Sequence, residues 1–234
     1  MIYAHRSFVV LALFASLVAR PAQACDGTWK LDPVDDNWNN AANWSDNCVP
    51  DDVPHFGVSN LVDITVTEGA FPSNLDFQVG ASSYIFTVPA RRQFIIEEES
   101  IQNLSGVEQH FEMLADASGQ SATFDLQSSF SGISAGTGMV FTTHGGRANG
   151  GDGGFIIFHF ESDAGSATLV NNGGEVSGAK GGTTIFFVNG SANRAAITNK
   201  AGLVAGALGG TTIFGTGTHG GSSHITCEGA MISG

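Results

Sequence analysis

The chain has few basic residues, and this scarcity limits the partners it can bind. Nine Lys and Arg stand against 22 Asp and Glu among its 234 residues, which gives a formal net charge of −13. Nucleic acid and anionic lipid surfaces are negatively charged and would repel such a chain. The imbalance is concentrated in residues 25–130, where 17 acidic residues face three basic ones. We therefore expect no nucleic-acid partner and a surface kept soluble by its charge.

Long apolar runs and helical periodicity are missing as well. The one apolar run is 7–19, and its 13 residues are too few to cross a bilayer, which needs about 20. No apolar pattern of period 3.6 appears, and 26 of the 32 glycines follow residue 130, so helices are implausible. The sequence predicts no membrane insertion by this segment and a fold without helices.

Residues 1–24 have the pattern of a secretory signal peptide. His5 and Arg6 close a short basic region, the apolar run follows, and 22–24 form an Ala-Gln-Ala cleavage site. Cleavage there leaves Cys25 at the mature N-terminus, so lipidation of Cys25 is an alternative. Ala22 stands where a lipoprotein usually has Leu. Ordinary export is therefore the favoured prediction, with a mature chain of 210 residues in one elongated domain.

Cysteine is scarce, with three residues in the whole chain. Cys25 and Cys48 lie close together at the front of a chain predicted to be exported, so a local disulfide between them is the expectation. Cys227 stands apart, in a repeat position that elsewhere holds Asn171 and Asn199. We interpret Cys227 as a tolerated position of the repeat rather than a reactive thiol.

The chain does contain a clear internal repeat of 28 residues. Gly-Gly-Thr-Thr-Ile-Phe occupies 181–186 and again 209–214, and 153–158 carries the same pattern with two substitutions. A period of this length is the signature of a solenoid. The columns at this spacing are Phe141, Leu169, Ile197 and Ile225; Ala148, Val176, Val204 and Ile232; Ile157, Ile185 and Ile213, followed at once by Phe158, Phe186 and Phe214; and Gly150, Gly178, Gly206 and Gly234. We predict that the apolar columns point inward.

Each repeat contains three β-prone stretches, at 167–170, 175–177 and 183–188, separated by pairs of Gly, Asn or Ser. Three short strands per repeat, stacked on identical neighbours, predict an all-β fold: a parallel β-helix with about 28 residues per regular coil. A propeller blade needs about 40 residues, and a leucine-rich repeat needs a Leu/Asn framework that is absent. Met113 and Phe130 precede Phe141 and Phe158 by the same 28 residues.

The predicted organisation has four parts. A signal peptide at 1–24 precedes an N-terminal cap module at 25–59. Irregular β-helix coils follow at 60–136, with strand-like pieces at 63–67, 84–88 and 94–97. Regular repeats occupy 137–234 and end at Gly234, in the middle of a unit.

The predicted cap module contains Trp29, Trp38 and Trp44, interleaved with Asn and Asp. The end of a β-helix exposes unpaired strand edges and an apolar cross-section, which aromatic and turn-forming residues can cover. Capping is therefore the favoured role. The alternative is that exposed Trp side chains stack on sugar rings.

This front module, followed by Gly-rich β repeats, resembles the passenger regions of bacterial autotransporters. The features that carry the resemblance are Trp29, Trp38, Trp44, Pro50, Asp52 and Phe56, the Gly-Gly-Thr-Thr runs, and the steps Val-Asn-Asn at 170–172 and Ile-Thr-Asn at 197–199, which look like autotransporter-associated β-strand repeats. The resemblance covers most of the mature chain. It implies a right-handed parallel β-helix, transit to the bacterial cell surface or outer membrane, and adhesion or display.

The family's C-terminal membrane barrel is absent from this sequence, because its strands of about ten residues need far more chain. We therefore expect a fragment of a longer protein that continues into further β-helix and a membrane barrel.

Sites of chemistry are hard to find in the sequence. Hydrolysis of a glycosidic bond needs two carboxylates at a set separation, yet the Asp-Asp pairs at 35–36 and 51–52 both fall in the cap. Thr-His-Gly-Gly recurs around His144 and His219 at a spacing of 75, which is not a multiple of 28, so we expect turn residues rather than metal ligands. Calcium binding is an alternative for 149–152 and for Asp32, Asp35, Asp36, Asp46, Asp51 and Asp52. We name no catalytic, cofactor or metal residue and expect no enzyme.

Two functions remain open. The first is an exported structural or adhesive β-helix segment, with a host surface or a glycan as its partner. The alternative is a carbohydrate-binding or polysaccharide-degrading module on a pectin-lyase-like β-helix. Ice binding through a Thr-rich face fails, because Ile156 interrupts the column of Thr184 and Thr212.

Overall fold

The computed structural model describes residues 25–96, 101–127, 135 and 137–229. The predicted signal peptide and the positions of Phe130, Ile232 and Gly234 lie outside these ranges. The described chain forms an all-β parallel solenoid of about seven turns, as the repeat predicts. The part boundaries within it stay predictions. Among the described residues, no helix has the length and apolar character needed to cross a membrane.

The described residues form these strands: β1 (Gly27–Thr28), β2 (Pro54–Phe56), β3 (Asp63–Thr65), β4 (Leu75–Phe77), β5 (Ile85–Val88), β6 (Gln93–Ile96), β7 (Ile101–Asn103), β8 (Gln109–Met113), β9 (Thr123–Leu126), β10 (Met139–Thr143), β11 (Phe155–Phe158), β12 (Thr168–Asn171), β13 (Thr183–Phe186), β14 (Ala196–Asn199), β15 (Thr211–Phe214) and β16 (His224–Cys227). A short 3-10 helix lies at Ala41–Asn43. The strands make three parallel sheets: sheet A (β1, β2, β4, β7), sheet B (β3, β5, β8, β10, β12, β14, β16) and sheet C (β6, β9, β11, β13, β15).

The pairing register confirms the 28-residue step in the regular coils. Thr168 pairs with Ala196, and Ala196 pairs with His224. The earlier coils are irregular, as expected, and their lengths differ. In sheet B the register steps by 22 residues from β3 to β5, by 25 from β5 to β8 and by 30 from β8 to β10.

These unequal steps correct two predicted pairings. Phe141 pairs with Phe111, two residues before Met113, and Phe158 pairs with Leu126 rather than with Phe130. A fixed spacing of 28 fails before β10 because the loops of the irregular coils differ in length, and pairing follows the side chains that must enter the core.

Each regular coil has two named strands rather than the predicted three. The stretch at 175–177 forms a bend and turn in the connection from sheet B to sheet C, where Gly178 has a φ of 78°. In the early coils, sheet A forms the third side of the coil. In the regular coils, single-residue bridges that join Asp163, Ser191 and His219 take its place. Val176 and Val204 are 38% and 40% exposed, so the prediction of an inward column there was wrong.

The structure confirms one of the other predicted inward columns and corrects the second. Phe141, Leu169 and Ile197 are buried, as predicted. In the Ile-Phe column, Phe158 and Phe186 are fully buried, whereas Ile157, Ile185 and Ile213 lie on the outer face. Successive side chains of a strand point to opposite sides, so neighbouring Ile and Phe cannot both enter the core.

Like residues stack on like along the core. Phe158, Phe186 and Phe214 form parallel rings with centroids 4.9 and 5.0 Å apart. Phe86 stacks on Phe111 at 4.6 Å, and Phe111 on Phe141 at 5.2 Å. Each coil thus presents the same ring at the same height, which makes a continuous core from coils that cannot bury their inward faces alone.

A polar ladder runs beside these rings inside the solenoid. Asn171 accepts hydrogen bonds from the hydroxyls of Thr143 (2.8 Å) and Thr184 (2.9 Å), and its amide donates to Asn199 Oδ1 (2.8 Å). Cys227 pairs with Asn199 in register, which confirms the predicted column. The ladder explains the Gly-Gly-Thr-Thr motif, because a Cβ at Gly182 would overlap Thr143, and the second Thr of the motif binds Asn171.

The Trp residues cap the first coil. Trp29, Trp38 and Trp44 are at most 1% exposed, and Trp44 makes edge-on contacts with the other two rings at 5.1 and 5.0 Å. Cys25 and Cys48 form a disulfide beside this cluster, as expected. At the other end, most side chains of 203–229 are exposed, including the ring of Phe214.

Candidate binding site at a corner of the solenoid

Burial excludes the Trp side chains as a sugar-stacking surface. A stacking ring must present a face to solvent, but all three Trp rings are buried, and Trp38 packs against Phe56, Phe86 and Phe94. The sugar-stacking alternative for the cap was therefore wrong.

The acidic side chains of the cap bind neighbouring donors separately instead of converging. The contacts are Asp32 with Asn60 (2.6 Å), Asp35 with Asn43 (2.7 Å), Asp36 with Thr65 (2.9 Å) and Asp51 with the Cys25 backbone N–H (2.7 Å). The Asn43 amide, with the Asn37 backbone N–H and the Asn40 amide, holds the pKa of Asp35 below its ordinary value. Within the described ranges, no three His, Cys, Asp or Glu side chains are grouped to hold a metal ion.

The other residues considered from the sequence are also distributed over different faces. His144 contacts Glu112, while His219 lies in the bridge line, so the two histidines do not share a column, as predicted. In the Gly-rich turn at 149–152, Asp152 forms an ion pair with Lys180 of the next coil at 2.7 Å. Arg147 and Glu175 make a second such pair between coils at 3.1 Å. Each of these two turns therefore forms an ion pair with the next coil.

Exposed aromatic and polar side chains also meet at one corner that the sequence did not single out. We call it the D corner; it comprises 159–163, 187–191 and 215–219, the turns that leave sheet C in three successive coils. Because the coils are in register, equivalent turn residues lie one above another. The D corner therefore presents columns of side chains at the height of one coil, about 4.8 Å apart.

A buried carboxylate fixes one ring of the D corner. Asp125 belongs to β9, in register with Ile95 and Ile157 on the outer face of sheet C, and is only 6% exposed. Its Oδ1 lies 2.8 Å from His159 Nδ1, and its Oδ2 accepts from the Gln127 amide at 2.8 Å. An ionised carboxylate can only accept, so Nδ1 of His159 donates in this contact and Nε2 points away from Asp125.

Two exposed phenylalanines flank this imidazole. The ring centroid of His159 lies 5.7 Å from that of Phe160 and 5.6 Å from that of Phe187, which meets it edge-on. Each phenylalanine is 46% exposed. We call these three surface rings the ring row; the large aromatic rings of the core are buried by contrast.

The backbone of the turns that carry these rings is strained, because it is left-handed at residues other than glycine. Phe160 and Val188, which occupy the same position in successive coils, have φ of 53° and 46°. Left-handed backbone favours glycine and is unusual for bulky and β-branched residues. Such strain persists where the surrounding structure enforces it, and it is frequent at functional sites.

A polar row lies beside the rings. Asp163, Ser191 and His219 are bridge partners in three coils. Asp163 Oδ1 accepts from the Gly165 backbone N–H at 2.7 Å and from the Asn193 amide at 3.3 Å. Serine stands between the acid and the histidine, whereas a Ser-His-Asp relay needs the imidazole in the middle. The row therefore offers hydrogen-bond donors and acceptors rather than a relay.

One signal in the sequence could have located the D corner. Phe-His-Phe at 158–160 and Phe-Phe-Val at 186–188 each place large side chains on both sides of an alternating strand end. Since the parity of Phe158 and Phe186 fills the core, the alternation puts His159 and Phe187 on the outer side. The exposure of Phe160, which has the core parity, does not follow from this pattern. Searching for identical letters in a column passes over this pattern, because His159 and Phe187 differ.

Comparison of the chain with protein-family models, with curated proteins and with solved structures finds no match.

Proposed function

We propose that this protein is an exported structural and adhesive β-helix segment of the bacterial cell surface, part of an autotransporter-type passenger. The observation that carries the proposal is the uninterrupted parallel stacking of the described coils behind a Trp cap that a disulfide closes. A disulfide next to a predicted signal peptide fits an oxidising compartment outside the cytoplasm.

The inward side of the strands keeps apolar residues while the outward side varies, and this difference supports a display function. In sheet B the inward column keeps apolar residues at Phe141, Leu169 and Ile197. The adjoining outward column changes from Val140 to Thr168, Ala196 and His224. Because inward residues alone fill the core, the outer face can vary and carry binding groups without cost to the fold.

The export half of the proposal is tested with the whole chain, including residues 1–24, produced in a Gram-negative host. We expect exported protein whose N-terminus is Cys25 and in which only Cys227 reacts with a thiol reagent before reduction. A variant with Ala24→Asp should keep its leader, because the cleavage site needs a small residue there. Full-length chain retained in the cytoplasm with all three cysteines reactive would refute export.

The adhesive half is tested by coating beads with mature protein and measuring their retention on host cells and on glycan-coated surfaces. Retention above that of beads coated with heat-unfolded protein is expected. Equal retention of both would refute adhesion by the folded solenoid.

A carbohydrate-binding or polysaccharide-degrading module is the second candidate, and the exposed ring row of the D corner favours its binding form. Release of new reducing ends from polysaccharides separates the two forms. Their appearance with intact protein, and their loss with Asp125→Asn, would establish degradation and overturn our expectation that the chain is not an enzyme.

A further inference from the structure

We propose that the D corner binds a neutral glycan, with pyranose rings stacked on Phe160 and Phe187 and their hydroxyls bound by the adjoining polar row. The inference rests on the proposed adhesive function and gives it a ligand class and a place. It concerns side chains outside the cap, where the sequence had placed the sugar-stacking alternative.

The ring row supplies the stacking surface. A pyranose has an apolar face of C–H groups that packs on an aromatic ring, and aromatic side chains provide large contact area at small entropic cost. Phe160 and Phe187 are each 46% exposed, with His159 between them at 5.7 and 5.6 Å. Phe160 and Phe187 each contact His159, so they offer two separate contact points, which suit an extended ligand of several sugar units better than a single compact one.

The polar side chains can orient a bound sugar through hydrogen bonds to its hydroxyls. Asp163, Ser191 and His219 follow one another by one coil, and the Asn193 amide reaches Asp163 at 3.3 Å. Carboxylate, hydroxyl, amide and imidazole together can accept from and donate to sugar hydroxyls. His159 is held by Asp125 at 2.8 Å, so its ring orientation is set before a ligand arrives.

Charge selects against acidic sugars. The D corner and its support contain the carboxylates Asp125, Glu161 and Asp163, and the turns 159–163, 187–191 and 215–219 contain no Lys or Arg. A uronate or sulfated polymer would be repelled, whereas a neutral glycan meets no such penalty. The ligand class is therefore a neutral hexose polymer.

The backbone strain at Phe160 is an independent observation that this ring serves something other than folding, and the next coil has the same strain at Val188. Phe160 and Val188 occupy left-handed positions where glycine would be unstrained, and both side chains are exposed. Neither strain nor exposure of a large apolar group favours the folded state. A binding surface explains both, because the strained turn carries the ring into solvent.

The test uses the mature, disulfide-bonded chain and calorimetric titration with neutral hexasaccharides built from glucose, mannose or galactose, and with polygalacturonate. We expect binding of at least one neutral oligosaccharide and none of polygalacturonate. Phe187→Ala should weaken that binding by about tenfold, the factor that corresponds to about 1.4 kcal/mol. The matched control is Phe71→Ala, which removes a similarly exposed ring three coil steps from Phe160 and four from Phe187, and should leave binding unchanged.

Phe160→Gly separates binding from folding. Because glycine relieves the left-handed strain, this variant should lose binding while its thermal midpoint stays the same or rises. Three outcomes overturn the proposal: no neutral binding by intact folded protein, binding of polygalacturonate alone, or binding that Phe160→Gly and Phe187→Ala leave unchanged. None of them affects export and cleavage before Cys25, so failure of this inference is distinguishable from failure of the proposed export.

Discussion

The orientation of the repeat motif is best tested at two neighbouring residues, Ile185 and Phe186. Both belong to β13 and both are apolar, yet the structure places Phe186 in the core and Ile185 on the outer face. Replacing each by Ala removes apolar atoms from opposite sides of one strand. The pair therefore reports directly which side of the strand faces inward.

The expected magnitudes differ by a wide margin. Phe186 is fully buried between Phe158 and Phe214, with ring planes within 13° and 12° of parallel. A buried Phe→Ala change costs about 3–5 kcal/mol in free energy of unfolding. Phe214 is 39% exposed, so the cavity is partly open and we expect about 3 kcal/mol. For Ile185, which is partly buried on the outer face, we expect a smaller cost of about 1 kcal/mol, because its truncation opens no cavity in the core.

The assay is urea unfolding of the mature chain, followed by far-UV circular dichroism. A shift of the midpoint at unchanged slope measures stability, whereas a changed slope would indicate that the coils unfold separately. Thr183→Ala, another outward change on the same strand, is the matched control. If Ile185→Ala costs as much as Phe186→Ala, the inward assignment of the strand is refuted.

Three further changes test other features, each by the same unfolding measurement. Asn171→Ala should cost about 2–4 kcal/mol, because it leaves the buried hydroxyls of Thr143 and Thr184 without their acceptor; a cost below that of the outward change Val170→Ala would contradict the polar ladder. Burial raises the pKa of Tyr84 to about 12, so the folded state holds the phenol proton more tightly; stability should fall as pH rises from about 10 to 12, and this fall should vanish in Tyr84→Phe. The pKa of Asp35 is lowered, chiefly by the Asn43 amide, so its contribution is present above pH 3.8 and is lost as pH falls through the folded-state value; an unchanged acid slope in Asp35→Asn would count against this.

The step of 28 predicted the regular coils well, because a solenoid must repeat its inward side chains at a fixed interval. It could not predict which neighbour in an Ile-Phe pair enters the core. Both columns are apolar and both recur at the same spacing, so the sequence leaves the parity of the alternation open. The close approach at Gly182 and the buried bond of Thr184 to Asn171 fix that parity in the structure.

The D corner was missed for a related reason. Its turns recur at the step of 28, but their residues differ from coil to coil, so no column of like residues marks them. Asp125 of β9, which holds His159, belongs to an irregular coil and meets His159 across 34 residues of sequence. Left-handed φ values at Phe160 and Val188 are equally invisible in the sequence, since these residue types ordinarily avoid that conformation.

The sequence by itself determined the fold class and the coil length of the regular repeats, and it favoured a capping role for the Trp cluster and a disulfide between Cys25 and Cys48 over their alternatives. These follow from local composition and a strict period, because each coil touches only its neighbours. The tertiary structure alone decided the strand parity, the unequal steps of the early coils and the side chains that meet at the D corner. Those features depend on how loops of different length bring residues distant in sequence to the same position along the solenoid axis. That position is fixed only when the coils stack and the core is packed.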